Sequence, residues 1–519
     1  MTQDLILAID EGTSSARAIA YDETWTPVAS AARRLVTDHP QPGWAEQDPE
    51  AILTAVVEVV AEVLGTIGGW SRVAAVGLAN QGETVVAWDR VSGAALGPAV
   101  LWSCRRSQEI VDRIEAAGHG PEIRRRTGLP LDPYFSASKM RWLIEHVADV
   151  AAAAMDGRLA LGTVDAWLTA RLGGPPAGQT DASTASRTQL LALATAAWEE
   201  DLVRIWDVPA SALGSVVPTV GSLGALAHPA WGGALPLRAM VCDQQAALAG
   251  QGGHRAGAIK ATLGTGVFVL SNVGRDVPAP PPGILATIAW TDAAGRPTYA
   301  LDGGVFSAGA LLDWLRGDLG LVGEPAALDR LAGEVPDAGG MRILPALAGL
   351  GAPWWDPTAR VVFAGMSAAT GRAQVARAAI DAIAQRTADV VEAMKRDRPA
   401  LARESGRASP SDSAPLRVDG GLSGSDLLVQ RLADLIGRPV EIAARAESTA
   451  LGTAILAAIG CGRIDEASAA AVVATKRVVD PAMDAATRLA ERSAWTAFVR
   501  HAAAFEPAVP RAASAPATI

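Results

Sequence analysis

Short unbroken apolar runs alternate along this chain with longer amphipathic stretches. Residues 5–9 (Leu-Ile-Leu-Ala-Ile) predict a buried strand, Asp10 to Ser15 a tight turn, and residues 16–22 a second strand, together a hairpin. Ile52, Val56, Val59, Val60, Val63 and Leu64 recur at helical spacing, so residues 49–67 predict a helix with Asp48 as N-cap and Pro49 in its first position. Residues 73–79 predict a strand leading into Asn80-Gln81-Gly82-Glu83. The pattern then restarts. Residues 259–270 predict strand, glycine turn and strand; 297–315 strand, turn and helix; 374–397 a long helix; 416–437 strand, glycine turn and helix. Residues 451–461 read as a buried helix. The alternation predicts an α/β architecture, and its repetition predicts two domains facing a cleft. Residues 398–415 and 506–519 carry few apolar positions and are expected to be an exposed loop and a disordered tail.

Composition narrows the function. With 519 residues, half of them hydrophobic, the chain can bury large cores. A net charge of −10 disfavours a nucleic-acid partner, which requires a basic surface. Cys104, Cys242 and Cys461 show no CxxC spacing, and the six histidines form no HExxH pattern, which argues against a disulfide framework and a zinc site. The first apolar run ends at Asp10 without a basic segment before it, and no run approaches the roughly 18–20 apolar residues of a membrane span. The expectation is a soluble cytoplasmic protein.

Three turns hold candidate chemistry. Asp10, Gly12, Thr13, Ser14 and Ser15 form the first; exposed N–H groups there can hold phosphate oxygens and Asp10 can orient a hydrated Mg²⁺, or the turn is a plain hairpin with a capping aspartate. Leu263-Gly264-Thr265-Gly266 is the second. Asp419-Gly420-Gly421 before a helix is the third, where glycines let a flat nucleotide approach the backbone. Asp243 and Gln244 follow an apolar stretch and open a helix. Asp243 can take a proton from a substrate hydroxyl, can cap the helix, or can do both.

Longer motifs add a resemblance. Residues 134–146 (Tyr134 to His146), Gly365-Met366 with Gln374-Val375 and Ala378 to Asp381, and segments 42–49, 101–106, 162–168, 349–357 and 448–454 resemble the FGGY family of carbohydrate kinases and, within it, the glycerol kinases. The resemblance runs from Leu5 to about residue 505. It implies two ribonuclease-H-like (actin/hexokinase-type) domains flanking a catalytic cleft, at residues 1–250 and 251–505. It implies phosphorylation of a small polyol or sugar hydroxyl by ATP with Mg²⁺, in a homodimer or homotetramer. By the same resemblance, Asp243 is the catalytic base and shares the metal with Asp10; Thr13, Ser14, Ser15, Arg17, Thr265, Gly309, Asp313, Gly421 and Ser425 contact the nucleotide; and Gly82, Glu83, Trp102, Tyr134, Asp243, Gln244 and Phe268 surround the polyol. A sugar- or nucleotide-binding sensor and an actin-like ATPase are the other classes weighed; retention of Asp10 and Asp243 argues against the sensor.

Three departures from the glycerol kinase pattern stand out. Gly82 replaces an arginine that contacts substrate; loss of a charged hydrogen bond costs about 10–150-fold, and the freed space is expected to favour a four- or five-carbon polyol or ketose unless another basic residue reaches in. Asp313 and Ser425 replace an amide pair, which is expected to alter nucleotide affinity or preference. Gly232-Gly233-Ala234 lacks the arginine of a regulatory loop, so no inhibition by fructose 1,6-bisphosphate is expected.

Overall fold

The computed structural model describes residues 4–321, 325–395, 414–445 and 447–505. Most of the expected loop (398–413) and the expected tail (506–519) lie outside these described residues. The first half is built on β1 (Leu5–Glu11), β2 (Ser15–Tyr21), β3 (Pro27–Arg34), α1 (Pro49–Ile67), β4 (Val73–Asn80), β5 (Ala225–Ala227), β6 (Ala234–Cys242) and α2 (Asp243–Gly250). The second half is built on β7 (Ile259–Leu263), β8 (Val267–Gly274), β9 (Leu285–Thr291), β10 (Pro297–Val305), α3 (Gly309–Gly317), α4 (Arg372–Ala393), β11 (Leu416–Asp419), α5 (Asp426–Ile436), β12 (Val440–Ala443), α6 (Ser448–Gly460), β13 (Thr475–Val479) and α7 (Ala485–Ala503).

The two main sheets repeat one plan. The first runs β5-β6-β4-β1-β2-β3 and the second β9-β10-β8-β7-β11-β12-β13. Each has an antiparallel hairpin at its centre, β1–β2 or β7–β8, and two parallel strands beyond it. Local chemistry explains the elements. Asp48 accepts from Glu50 N–H at 3.0 Å to cap α1, and Gly68, at φ 87°, ends the helix with its N–H on Leu64 O. Alternation along β1 gives each face its own partner. Leu7 and Ile9 pack with Val56 and Val60 of α1, while Ile6 and Ala8 pack with Leu451, Ala454 and Ile455 of α6.

That second packing joins the halves. α6 comes late in the chain, yet it shares a core with the first sheet and with Ala246 and Ala249 of α2. Glycines permit the approach: a Cβ on Gly250 would stand 1.8 Å from Ser448 O, and one on Gly452 1.8 Å from Ala246 O. A smaller sheet from Glu46–Gln47, Val85–Asp89, Ala99–Val100 and Leu159–Thr163 flanks the first and presents residues 82–84 and 101–102 beside it. No described helix is long and apolar enough to cross a membrane.

Candidate active site

Strand register assembles the acidic centre. Asp10 and Glu11 at the end of β1 pair with Ala79 and Asn80 of β4, and Asn80 pairs with Cys242 of β6. The carboxyl ends of three parallel strands therefore meet, and α2 starts there with Asp243. Cys242 occupies the cap position; Asp243 is the first helical residue, and its Oδ1 accepts from Gln244 N–H at 2.7 Å. Burial raises the carboxyl of Asp243, while that N–H and the Lys260 ammonium oppose the rise. Burial and the neighbouring Asp243 push Asp10 up to about 7, with Arg17 opposing. Glu11, buried behind it, is pushed up to about 8 against hydrogen bonds from Gln81.

Two recessed carboxylates that repel each other fit a divalent cation. Among the described residues no cluster of three or more His, Cys, Asp or Glu side chains could hold one. Asp10 and Asp243 would suit a hydrated Mg²⁺, which keeps most of its waters and takes few carboxylates.

The residues expected to surround the polyol converge beside Asp243. Trp102 lies edge-on to Tyr134, ring centres 5.6 Å apart, and to Phe268 at 6.5 Å. Trp102 Nε1 donates to Thr13 Oγ1 at 2.9 Å, which ties the first turn to this aromatic wall. Lys139 fixes the loop of Tyr134 by donating to the carbonyls of Pro133, Tyr134 and Phe135. Glu83 is buried, holds the left-handed φ of 61° that is uncommon for a non-glycine residue, and accepts from Arg187 Nε at 2.6 Å.

The expectation of free space at Gly82 does not hold. A Cβ there would lie 2.8 Å from Cys242 Sγ, so the thiol crowds the point where a side chain would start, and Arg187 Cγ stands 4.0 Å from it. Arg187 is a basic residue close by, and its guanidinium meets Glu83 and Asp302.

Five of the residues expected to contact the nucleotide, Thr265, Gly309, Asp313, Gly421 and Ser425, line a cavity of about 540 Å³ together with Gly264. Backbone contacts need the glycines. Gly309 N–H donates to Gly264 O at 3.0 Å, and a Cβ on Gly309 would stand 2.8 Å from that oxygen. Gly420, at φ 86°, lies against Leu263 O, where a Cβ would be 2.5 Å away. Ser425 caps α5 by accepting from Leu428 N–H and donates to Asp329 Oδ1 at 2.6 Å, while Asp313 pairs with Arg316 at 2.9 Å. Thr13, Ser14, Ser15 and Arg17 do not line this cavity. They lie on the first-sheet hairpin, Ser14 exposed at its tip and Arg17 opposite Asp10 and paired with Glu447.

Three side chains that touch the expected site residues are given no role by the motif reading: Arg187, Lys260 and Cys242. Lys260 had a visible signal, a lysine inside an apolar strand just before the glycine turn. Ile259, Ala261 and Leu263 face the second core, so the alternation turns Lys260 and Thr262 to the α2 side. Burial lowers the ammonium of Lys260, and Asp419 and Asp243 counter it.

Models of the FGGY family of carbohydrate kinases match this chain twice, the N-terminal domain over residues 5–250 and the C-terminal domain over 259–461. The chain is 40% identical over 498 residues to a glycerol kinase of Citrifermentans bemidjiense, covering 96% of this chain and 98% of that one. It is 43% identical over 458 residues to one of Alkalilimnicola ehrlichii, covering 88% and 90%. Among solved structures, Plasmodium falciparum glycerol kinase with ADP superimposes with a TM-score of 0.86 at 28% identity, over 96% of this chain and 98% of that one. A ligand-bound xylulose kinase from Lactobacillus acidophilus shares the fold, with a TM-score of 0.84 at 21% identity and the same coverage.

Proposed function

The chain belongs to the FGGY family of carbohydrate kinases, and from that premise we propose that it transfers the terminal phosphoryl group of ATP to a hydroxyl of glycerol, with Asp243 as the base. Phosphorylation of a small polyol or sugar by ATP follows from the family and its relatives. Glycerol is favoured over a larger polyol or ketose because Cys242 Sγ crowds the position next to Gly82 that a larger acceptor would need. The observation that carries the reading is the meeting of Asp243 and Gln244 with Glu83 and the Trp102–Tyr134–Phe268 wall, next to Asp10.

In this reading Glu83 and Gln244 bind the acceptor hydroxyls, and the aromatic rings pack its carbon chain. Asp243 accepts the proton of the reacting hydroxyl as that oxygen forms its bond to the terminal phosphorus and the bond to the ADP oxygen breaks. Asp10 and Asp243 would hold Mg²⁺, which when bound would neutralise charge on the phosphates. Thr265, Gly309 and Gly421 position the nucleotide, and Thr13, Ser14 and Ser15 approach its phosphates from the first sheet. Asp313 and Ser425 put an acidic residue and a hydroxyl at the far end of the nucleotide cavity, and a changed nucleotide affinity or preference is expected from them. A cytoplasmic enzyme acting as a homodimer or homotetramer completes the proposal.

ADP release measured against glycerol, erythritol, threitol, erythrulose, ribitol, xylulose and ribulose tests it. Glycerol should give the highest kcat/KM. A larger acceptor giving the highest value overturns the glycerol assignment and leaves the kinase. Asp243→Asn should lower kcat by about 10²–10⁴-fold, the range of general base catalysis; full turnover by that variant removes the base assignment.

A further inference from the structure

Arg187 lies in the turn after the short helix Ala182–Ala185 and is nearly fully buried. Its Nε donates to Glu83 Oε1 at 2.6 Å, and its Nη1 stands 2.9 Å from Asp302 Oδ2 on β10. That second contact lacks hydrogen-bond direction. The guanidinium carbon is 5.9 Å from the ring centre of Tyr134 and 5.6 Å from that of Phe135. Burial alone would lower a guanidinium; Glu83 and Asp302 outweigh it and keep Arg187 charged. One arginine thus ties Glu83, in the first half of the chain, to Asp302 in the second. Glu83 needs such a tie, because its positive φ is costly for a residue with a Cβ and persists only where neighbours impose it. Cys242 completes the wall: its Sγ lies 2.8 Å from where a residue-82 side chain would begin and 3.6 Å from Asp243 Oδ1.

We propose that Arg187 is a positioning residue that sets acceptor specificity by fixing the Glu83 carboxylate, and that the Cys242 thiol is the wall that limits acceptor size. The inference rests on the polyol kinase reading above. Arg187 takes one oxygen of Glu83 and leaves the other for an acceptor hydroxyl. The thiol closes the volume that a fourth carbon would enter.

Steady-state kinetics of the wild type, Arg187→Met, Arg187→Lys and Cys242→Gly, with glycerol and with erythritol, decide it. Arg187→Met should raise the glycerol KM by about 10–150-fold, the value of one charged hydrogen bond, with the ATP KM unchanged. Arg187→Lys should recover part of that loss. Cys242→Gly should shift the erythritol-to-glycerol ratio of kcat/KM upward by about tenfold, as expected for one methylene-sized space. Circular dichroism and melting checks folding; if Arg187→Met does not fold, a raised glycerol KM in folded Arg187→Lys, with the Cys242→Gly shift, supports the inference. A folded Arg187 variant with unchanged glycerol KM, or with equal losses for ATP and glycerol, overturns it and leaves the kinase standing. Failure of the wild type to phosphorylate any polyol overturns both.

Discussion

Lys260 Nζ donates to Gln244 Oε1 at 2.8 Å and to Thr262 Oγ1 at 3.1 Å. The first bond turns the Gln244 carbonyl toward the second sheet and leaves its amide N–H groups for the acceptor. The same ammonium lowers the carboxyl of Asp243. Lys260→Met should therefore raise the acceptor KM by about tenfold, the loss of one charged hydrogen bond. It should also move the acid limb of the kcat/KM profile to higher pH, because Asp243 loses the cation that favours its ionised form. A pH profile that does not move removes Lys260 from the chemistry.

The crossing of α2 and α6 leaves no room for a side chain at Gly452. Gly452→Ala must push the helices apart or bend them, at a cost of about 1–3 kcal/mol typical of overpacking. The urea midpoint should fall with little change in slope. Activity should fall with it, since α2 carries Asp243 at its start.

The raised carboxyls set a pH dependence of stability. Asp10 and Glu11 are pushed up to about 7 and about 8 by burial, far above their values in an unfolded chain. Between about pH 4 and 8 the folded protein holds protons that the unfolded chain has released, so stability falls as pH rises through this window. Without ligands, the melting temperature should be higher at pH 5.5 than at pH 8. Mg²⁺ with ADP should raise the melting temperature more at pH 8 than at pH 5.5, because the metal competes with the proton on Asp10. Thermal melts with and without Mg²⁺ and ADP check both, and a ligand effect that shrinks with pH would refute the metal role of Asp10.

The Trp70 indole packs against the glycine pair Gly232-Gly233: a Cβ on Gly233 would be 2.3 Å from Trp70 Cε2. An indole over bare backbone offers no cation to a bisphosphate. Fructose 1,6-bisphosphate should leave the rate with ATP and glycerol unchanged, and dose-dependent inhibition counts against this reading of the loop.

The strands, helices and turns were legible wherever the signal was local. The apolar run of β1, the helical spacing and caps of α1, and the glycine turns after β7 and β11 are properties of a few neighbouring residues. Asp10 and Asp243 were legible as candidates because they follow apolar runs, and the aromatic and glycine-turn candidates because longer motifs carry them. Gly82 was legible as a departure, but its consequence was not. Whether a missing side chain leaves a hole depends on what packs against it, and here the packing partner is Cys242 on β6. Arg187 and Glu83 are separated by 104 positions, and no periodicity relates them. The folding of α6 onto the first sheet is equally remote from its own sequence, since helix propensity fixes a helix and not the surface it covers. Local backbone preference and periodicity determined the elements and the ends where chemistry could sit. Only the tertiary structure, through strand register and close packing, decided which buried charges meet and how much room the acceptor has.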